Sequence, residues 1–173
     1  MPMDVPRSEP PATLPEPSGR TFVVGVSGAS GAAYAVRTIE QMLLGGHAVH
    51  LVVTEYGRRL LFDELGVREV SLGALCPHLS ASDGAGYAGR LTIHPNKDVG
   101  AVIASGSFLH DGMVVVPCSS ASLGAMASGS GSNLLVRAAM VTLKERRTLV
   151  IAHRETPLSL IDIENMRTLT LAG

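Results

Sequence analysis

From Thr21 onward the chain alternates short runs of aliphatic, largely β-branched residues with longer stretches whose apolar positions recur every three or four residues. TFVVGV at 21–26, HAVHLVVT at 47–54, MVVVP at 113–117 and TLVIAH at 148–153 read as strands. β-Branched side chains suit a pleated, packed surface, and each run is too short for a helix. Ala32, Ala35, Val36, Ile39 and Leu43 share one helical face, and Gly45-Gly46 closes that pattern. Further helices are expected over 55–65, in a short segment after the Ser/Gly-rich turn that follows Pro117, over 133–145 and over 158–172. Residues 66–98, with Pro77 and Pro95 among small side chains, carry no legible period. Strands this uniformly apolar, each followed by a helix, predict a parallel sheet covered on both faces, a three-layer α/β sandwich. Ligands of such folds bind beyond the carboxyl ends of the strands, where loops meet helix N-termini. Attention therefore falls on the residues that follow Val26, Val53, Val116 and Ala152.

Composition and charge narrow the function classes. Six of the ten prolines lie in the first 20 residues, which predicts a disordered tail over 1–20 ahead of one domain over 21–173. That tail lacks the apolar core of a secretory signal and the basic amphipathic pattern of a transit peptide. A chain that is 46% hydrophobic and 17% charged is not generally disordered. Fourteen basic residues against fifteen acidic ones give no global field to recruit nucleic acid. No apolar run approaches the roughly 18 to 20 residues that span a bilayer. Two cysteines, Cys76 and Cys118, suit a reducing compartment, so a cytoplasmic protein is expected.

The candidate chemistry lies at the strand ends. After the first strand, Ser27-Gly28-Ala29-Ser30-Gly31 offers small residues whose backbone amides can approach an anion at a helix N-terminus. Its glycines, at 25, 28 and 31, match neither the dinucleotide fingerprint nor a Walker loop, and a tight turn with an N-cap serine reads it equally well. Thr54 closes the second strand. Pro117-Cys118-Ser119-Ser120-Ala121-Ser122 closes the third with three hydroxyls that suit a phosphate or a flavin edge. Cys118 reads as a small buried hydrophobe, since no base stands beside it in sequence. Arg137 and Lys144, seven apart on one helix, share a face and could grip a phosphate, although a solvated helix face is the commoner use of such residues. Arg154-Glu155 follows directly on an apolar strand, where charges point toward the ligand crevice. Nothing in its spacing distinguishes Glu64 from a surface acid. The six histidines form no metal-binding pattern, so no metal is expected.

In combination these segments resemble the flavin prenyltransferases of the UbiX type. GVSGASG at 25–31, IASGSF at 103–108, DGMVVVPCS at 111–119, NLLVRAA at 133–139, TLKERR at 142–147 and RETPLSLI at 154–161 are similar to that family and occur in its order. The resemblance implies a flavodoxin-like, Rossmann-like fold and a homo-oligomer, commonly a dodecamer. It implies a metal-independent reaction in which reduced FMN is alkylated at N5 and then C6 by dimethylallyl monophosphate. The product, prenylated FMN, serves UbiD-type decarboxylases. By the same resemblance Gly28, Ala29, Ser30, Thr54, Ser119, Ser120, Ala121, Ser122 and Arg154 contact FMN. Ser105, Arg137 and Lys144 hold the prenyl phosphate, and Ser30, Glu64, Lys144 and Glu155 are the catalytic candidates. A monophosphate leaves poorly, so protonation by a carboxylic acid, Glu155, is the expected help. The resembled family continues through a further strand and helix where this chain stops at Gly173, so a C-terminally shortened form is expected. A related FMN-dependent cysteine decarboxylase would carry a catalytic His and a P-A-M-N loop where this chain has Pro117-Cys118-Ser119-Ser120. A non-catalytic flavin-binding subunit, or a phosphate-binding module without flavin, are the alternatives of another class.

Overall fold

A computed structural model describes residues 19–173, apart from the side chains of residues 82–85. The expected tail therefore lies, but for Gly19 and Arg20, outside the described residues. Five strands, β1 (Thr21–Val26), β2 (Ala48–Val53), β3 (Leu91–Pro95), β4 (Gly112–Cys118) and β5 (Leu149–His153), form one sheet in the order β3-β2-β1-β4-β5. Every pairing is parallel, as the aliphatic runs require. Helices α1 (Ala32–Leu44), α2 (Glu55–Leu65), α3 (Leu72–Leu75) and α4 (Pro77–Ala88) cover one face. Helices α5 (Ser120–Ala127), α6 (Leu134–Lys144) and α7 (Leu160–Ala172) cover the other.

Alternation along β1 builds both cores at once. Val24 and Val26 pack with Ile39 and Leu43 of α1, whereas Val23 packs with Leu134 and Leu135 of α6. Gly25 leaves room for that second contact, because a Cβ there would stand 3.0 Å from Leu135. The chain runs outward from β1 to β2 and β3, then returns to lay β4 on the other side of β1. That reversal makes a topological switch point between the carboxyl ends of β1 and β4, the place where such sheets open a ligand crevice.

Strand β3 and the short helices α3 and α4 occupy the stretch in which the sequence shows no period. β3 is an edge strand of five residues, half exposed, with polar Thr92 and His94 and a terminal Pro95. A proline is tolerated there because an edge strand can spare a ladder donor, and those features hide it from an apolar-run reading.

Candidate active site

At the switch point the loops after β1 and β4 are tied together by one buried serine. The Ser27 hydroxyl accepts from the Ser119 amide at 2.8 Å and donates to the Pro117 carbonyl at 3.1 Å, while the Ser27 amide donates to that same carbonyl at 3.1 Å. Ser119 is then the N-cap of α5, its hydroxyl accepting from the Ser122 amide at 3.3 Å. Thr54 likewise caps α2, accepting from the Gly57 amide at 3.0 Å, and its own amide donates to Val26 at the end of β1. Gly28 lies so close to the start of α2 that a Cβ would stand 2.4 Å from that of Tyr56. The loops after β1, β2 and β4 thus form one connected surface.

Two amides at the end of the glycine-rich loop, those of Gly31 and Ala32, face an anion of the protein's own. The carboxylate of Glu64, near the end of α2, already accepts from the Ala32 amide at 2.8 Å and the Gly31 amide at 3.1 Å. It caps α1 as a phosphate would. The Ala32 amide and then the Ser30 hydroxyl, with the Gly31 amide and the charge of Arg154 adding to them, hold this carboxyl below the usual carboxylate range. Glu64 is therefore an ionised acceptor that orients Ser30, and not a reservoir of protons at neutral pH. Cys118, fully buried, has its thiol pushed up to about 12 by burial and is no nucleophile.

A cleft of about 800 Å³ runs along α1, from Ser30 and the ends of β4 and β5 down to Met42, His47 and Phe22 near the start of β1. Phe22, Met42, Val116, Pro117 and Ala152 make it mainly apolar, and Ser30, Tyr34 and Arg154 bring polar groups to it. A broad apolar wall with a few convergent polar groups suits a planar aromatic ring system such as a flavin. Ser30 and Arg154 meet here, the first from the β1 loop and the second from the end of β5. Glu155 is not a lining residue; its carboxylate accepts from the Thr156 amide at 2.9 Å and is exposed.

Ser105, Arg137 and Lys144 also come together, in a different place. They line a smaller pocket of about 350 Å³ with Gly106 and Val141, between α6 and a 3₁₀ turn (Val102–Ala104). This pocket shares no lining residue with the cleft. Lys144 there is paired with Glu145 at 2.6 Å. Among the described residues no group of histidine, cysteine and acidic side chains is placed to hold a metal ion, and no helix is long and apolar enough to cross a membrane.

Sequence reasoning missed Ser27, since a serine at a strand end looks like any cap. It also missed His153 and Asp162, buried side by side at the end of β5 and in the first turn of α7. Asp162 had a legible signal, the Ser159-Leu160-Ile161-Asp162 capping box.

A family model described as Flavoprotein matches residues 12–171. A flavin prenyltransferase UbiX of Halalkalibacterium halodurans is 41% identical over 152 residues, covering 88% of this chain and 72% of the relative. Among solved structures, one described as AnUbiX in complex with FMN and dimethylallyl pyrophosphate superposes with a TM-score of 0.76 at 35% identity, covering 90% of this chain and 75% of that one. A dodecameric FMN-dependent UbiX-like decarboxylase from Escherichia coli O157:H7 gives 0.74 at 34% identity, covering 88% and 76%.

Proposed function

The chain belongs to the flavoprotein family and, within it, to the UbiX-type flavin prenyltransferases, and on that premise we propose that it transfers the dimethylallyl group of dimethylallyl monophosphate to N5 and C6 of reduced FMN. Prenylated FMN leaves for a UbiD-type decarboxylase. The observation that carries the reading is the meeting of Ser30 and Arg154 in one apolar cleft at the switch point, with ionised Glu64 behind Ser30.

When bound, reduced FMN supplies the nitrogen and carbon that the allyl group joins. The protein's own work is to bind, orient and exclude water. Arg154 offers a charge to the cofactor, and the first turn of α5, from Ser119 to Ser122, offers backbone amides, the Ser120 hydroxyl being buried beside Asp162. Gly28, Ala29 and Thr54, outside the lining of the cleft, are the further cofactor contacts in this reading. The Ser30 hydroxyl, turned toward Glu64, leaves its lone pairs to receive a proton near the reacting nitrogen. Breaking the allylic C–O bond puts charge on the departing phosphate, and Arg137, Lys144 and Ser105 are the groups that would hold it. A phosphate entering their pocket competes with Glu145 for Lys144. Glu155, exposed and next to Arg154, is our candidate to protonate the leaving group. The aliphatic cleft keeps water from the reactive allyl carbon.

The cation pocket and the cleft are separate within one chain, which supports a homo-oligomer in which one copy's Ser105, Arg137 and Lys144 complete another copy's cleft. Exposed apolar residues on α7, among them Leu160, Ile161 and Leu171, are suited to such contacts. We place the protein in the cytoplasm, where Cys76 and Cys118 stay reduced. The test is anaerobic incubation with reduced FMN and dimethylallyl monophosphate, or the diphosphate in a parallel arm, followed by mass spectrometry of the flavin. A gain of one prenyl unit with the monophosphate is expected. Bound but unaltered flavin in both arms would leave a carrier instead.

A further inference from the structure

Two buried side chains behind the cleft take part in none of the steps above. His153 ends β5 and Asp162 lies in the first turn of α7, with side-chain exposures of 5% and 7%. The His153 Nδ1 stands 3.0 Å from the Cys118 carbonyl, which also accepts from the Arg154 amide at 3.1 Å. A carbonyl only accepts, so Nδ1 is the donor of that bond. The Nε2 atom on the other side of the ring is buried, has no hydrogen-bond partner and faces Oδ1 of Asp162 at 3.8 Å. Both ring nitrogens therefore face acceptors. The other carboxylate oxygen, Oδ2, accepts from the Ser159 hydroxyl at 2.6 Å and the Ser159 amide at 3.1 Å.

We propose that His153 and Asp162 are a positioning pair that fixes Arg154, and with it the cofactor's cationic contact, by bridging the end of β4 to the first turn of α7. The link consists of two hydrogen-bonded ends, imidazole to the Cys118 carbonyl and carboxylate to Ser159, which face each other across the 3.8 Å between Nε2 and Oδ1. The five residues from Arg154 to Leu158 span the gap between β5 and that anchor, and their conformation is exposed to solvent. Without the bridge, Arg154 would be held only through its amide to Cys118, and its guanidinium would sample the open loop. The carboxylate also carries a negative charge near the loop, so losing it alters orientation without removing any group from the cleft itself. Neither residue lines the cation pocket, and His153 reaches the cleft only beside Arg154.

The proposal rests on the functional reading of Arg154, and its test separates the two. FMN affinity is measured by flavin fluorescence, and thermal melting by circular dichroism, for wild type, Asp162→Asn, His153→Asn and each of these combined with Arg154→Ala. Asparagine at 162 retains an acceptor for Ser159, and asparagine at 153 retains a donor for Cys118, so both variants are chosen to fold. Each single variant is expected to weaken FMN binding about five- to tenfold, the range of one misplaced charge-assisted contact. In the Arg154→Ala background neither should add more than about twofold, because the residue they act through is gone. A merely structural role would instead lower the melting temperature and weaken binding equally in both backgrounds, and that result overturns the proposal. Unchanged affinity in variants of a wild type that binds FMN overturns the positioning role alone. A wild type with no affinity for FMN overturns the functional reading and the positioning role together.

Discussion

Removing one oxygen atom, that of Ser27, should loosen the site more than any loss of a lining side chain. Ser27 is fully buried, and its hydroxyl is the acceptor for the Ser119 amide. In Ser27→Ala that half-buried amide loses its partner, which costs about 1–3 kcal/mol where the donor is left unsatisfied. The Pro117 carbonyl suffers less, since the Ser27 amide still donates to it. The side chain shrinks by a single small atom, so the cavity contribution is minor. A net loss of about 2 kcal/mol follows, and for a domain of this size about 4–8 °C in melting temperature. Differential scanning calorimetry reads it directly. Because the bond joins the β1 and β4 loops, FMN affinity should fall in the same variant, measured by fluorescence titration below the transition. Ser119→Ala is the control: it removes the α5 cap but leaves the Ser119 amide bonded to Ser27, so its effect on the loop junction should be smaller. A Ser27→Ala protein that melts within about 1 °C of wild type and binds FMN normally would refute the view that this junction holds the site.

Three further outcomes are expected. His50, His94 and His110 are partly to fully buried, and burial lowers all three below their ordinary 6.5, with the charges of His94 and His110 adding to it at His50. The unfolded chain therefore takes up protons below 6.5 that the folded chain refuses, so stability is full above 6.5 and declines as pH falls through the folded values. His50→Phe, which keeps a ring against Phe108, should flatten the acid side of a melting-temperature profile taken from about pH 8 to about pH 5; an unchanged slope would remove His50 from that account. Arg137→Ala and Lys144→Ala should each raise the KM for dimethylallyl phosphate by about tenfold or more while leaving FMN affinity within about twofold, as steady-state and titration data would show. Glu155→Gln should slow single-turnover flavin alkylation by about a hundredfold, the usual scale of general-acid catalysis, with FMN still bound; absorbance traces at the wild-type rate would exclude the acid role.

The fold was readable where a strand is aliphatic throughout and unreadable where polar residues and proline interrupt it. β1, β2 and β4 announce themselves because Val23, Val24, Leu51, Val53, Met113 and Val115 pack on one face or the other with no solvent side to pattern. β5, an edge strand with Val150 and Ala152 exposed, is legible only because its exposed positions are aliphatic too. β3 is concealed by its edge position, where Thr92 and Pro95 are permissible. The same logic divides the site. Loop positions can be placed from strand ends alone, so Ser30, Ser119 and Arg154 fall where a parallel sheet puts its crevice. What a carboxylate does there cannot be read that way. Glu64 has no distinguishing spacing, and only the packing of α2 against α1 brings its oxygens onto the Gly31 and Ala32 amides. That contact changes the chemistry assigned to the loop: the helix N-terminus that seemed free for a phosphate is already satisfied by an internal anion. The first turn of α5 is capped instead by a neutral hydroxyl, that of Ser119. The N-termini of α1 and α5, each opening at a small-residue turn after a strand, are made unequal by a single side chain 33 positions away from Gly31: a carboxylate caps the one and a neutral serine the other.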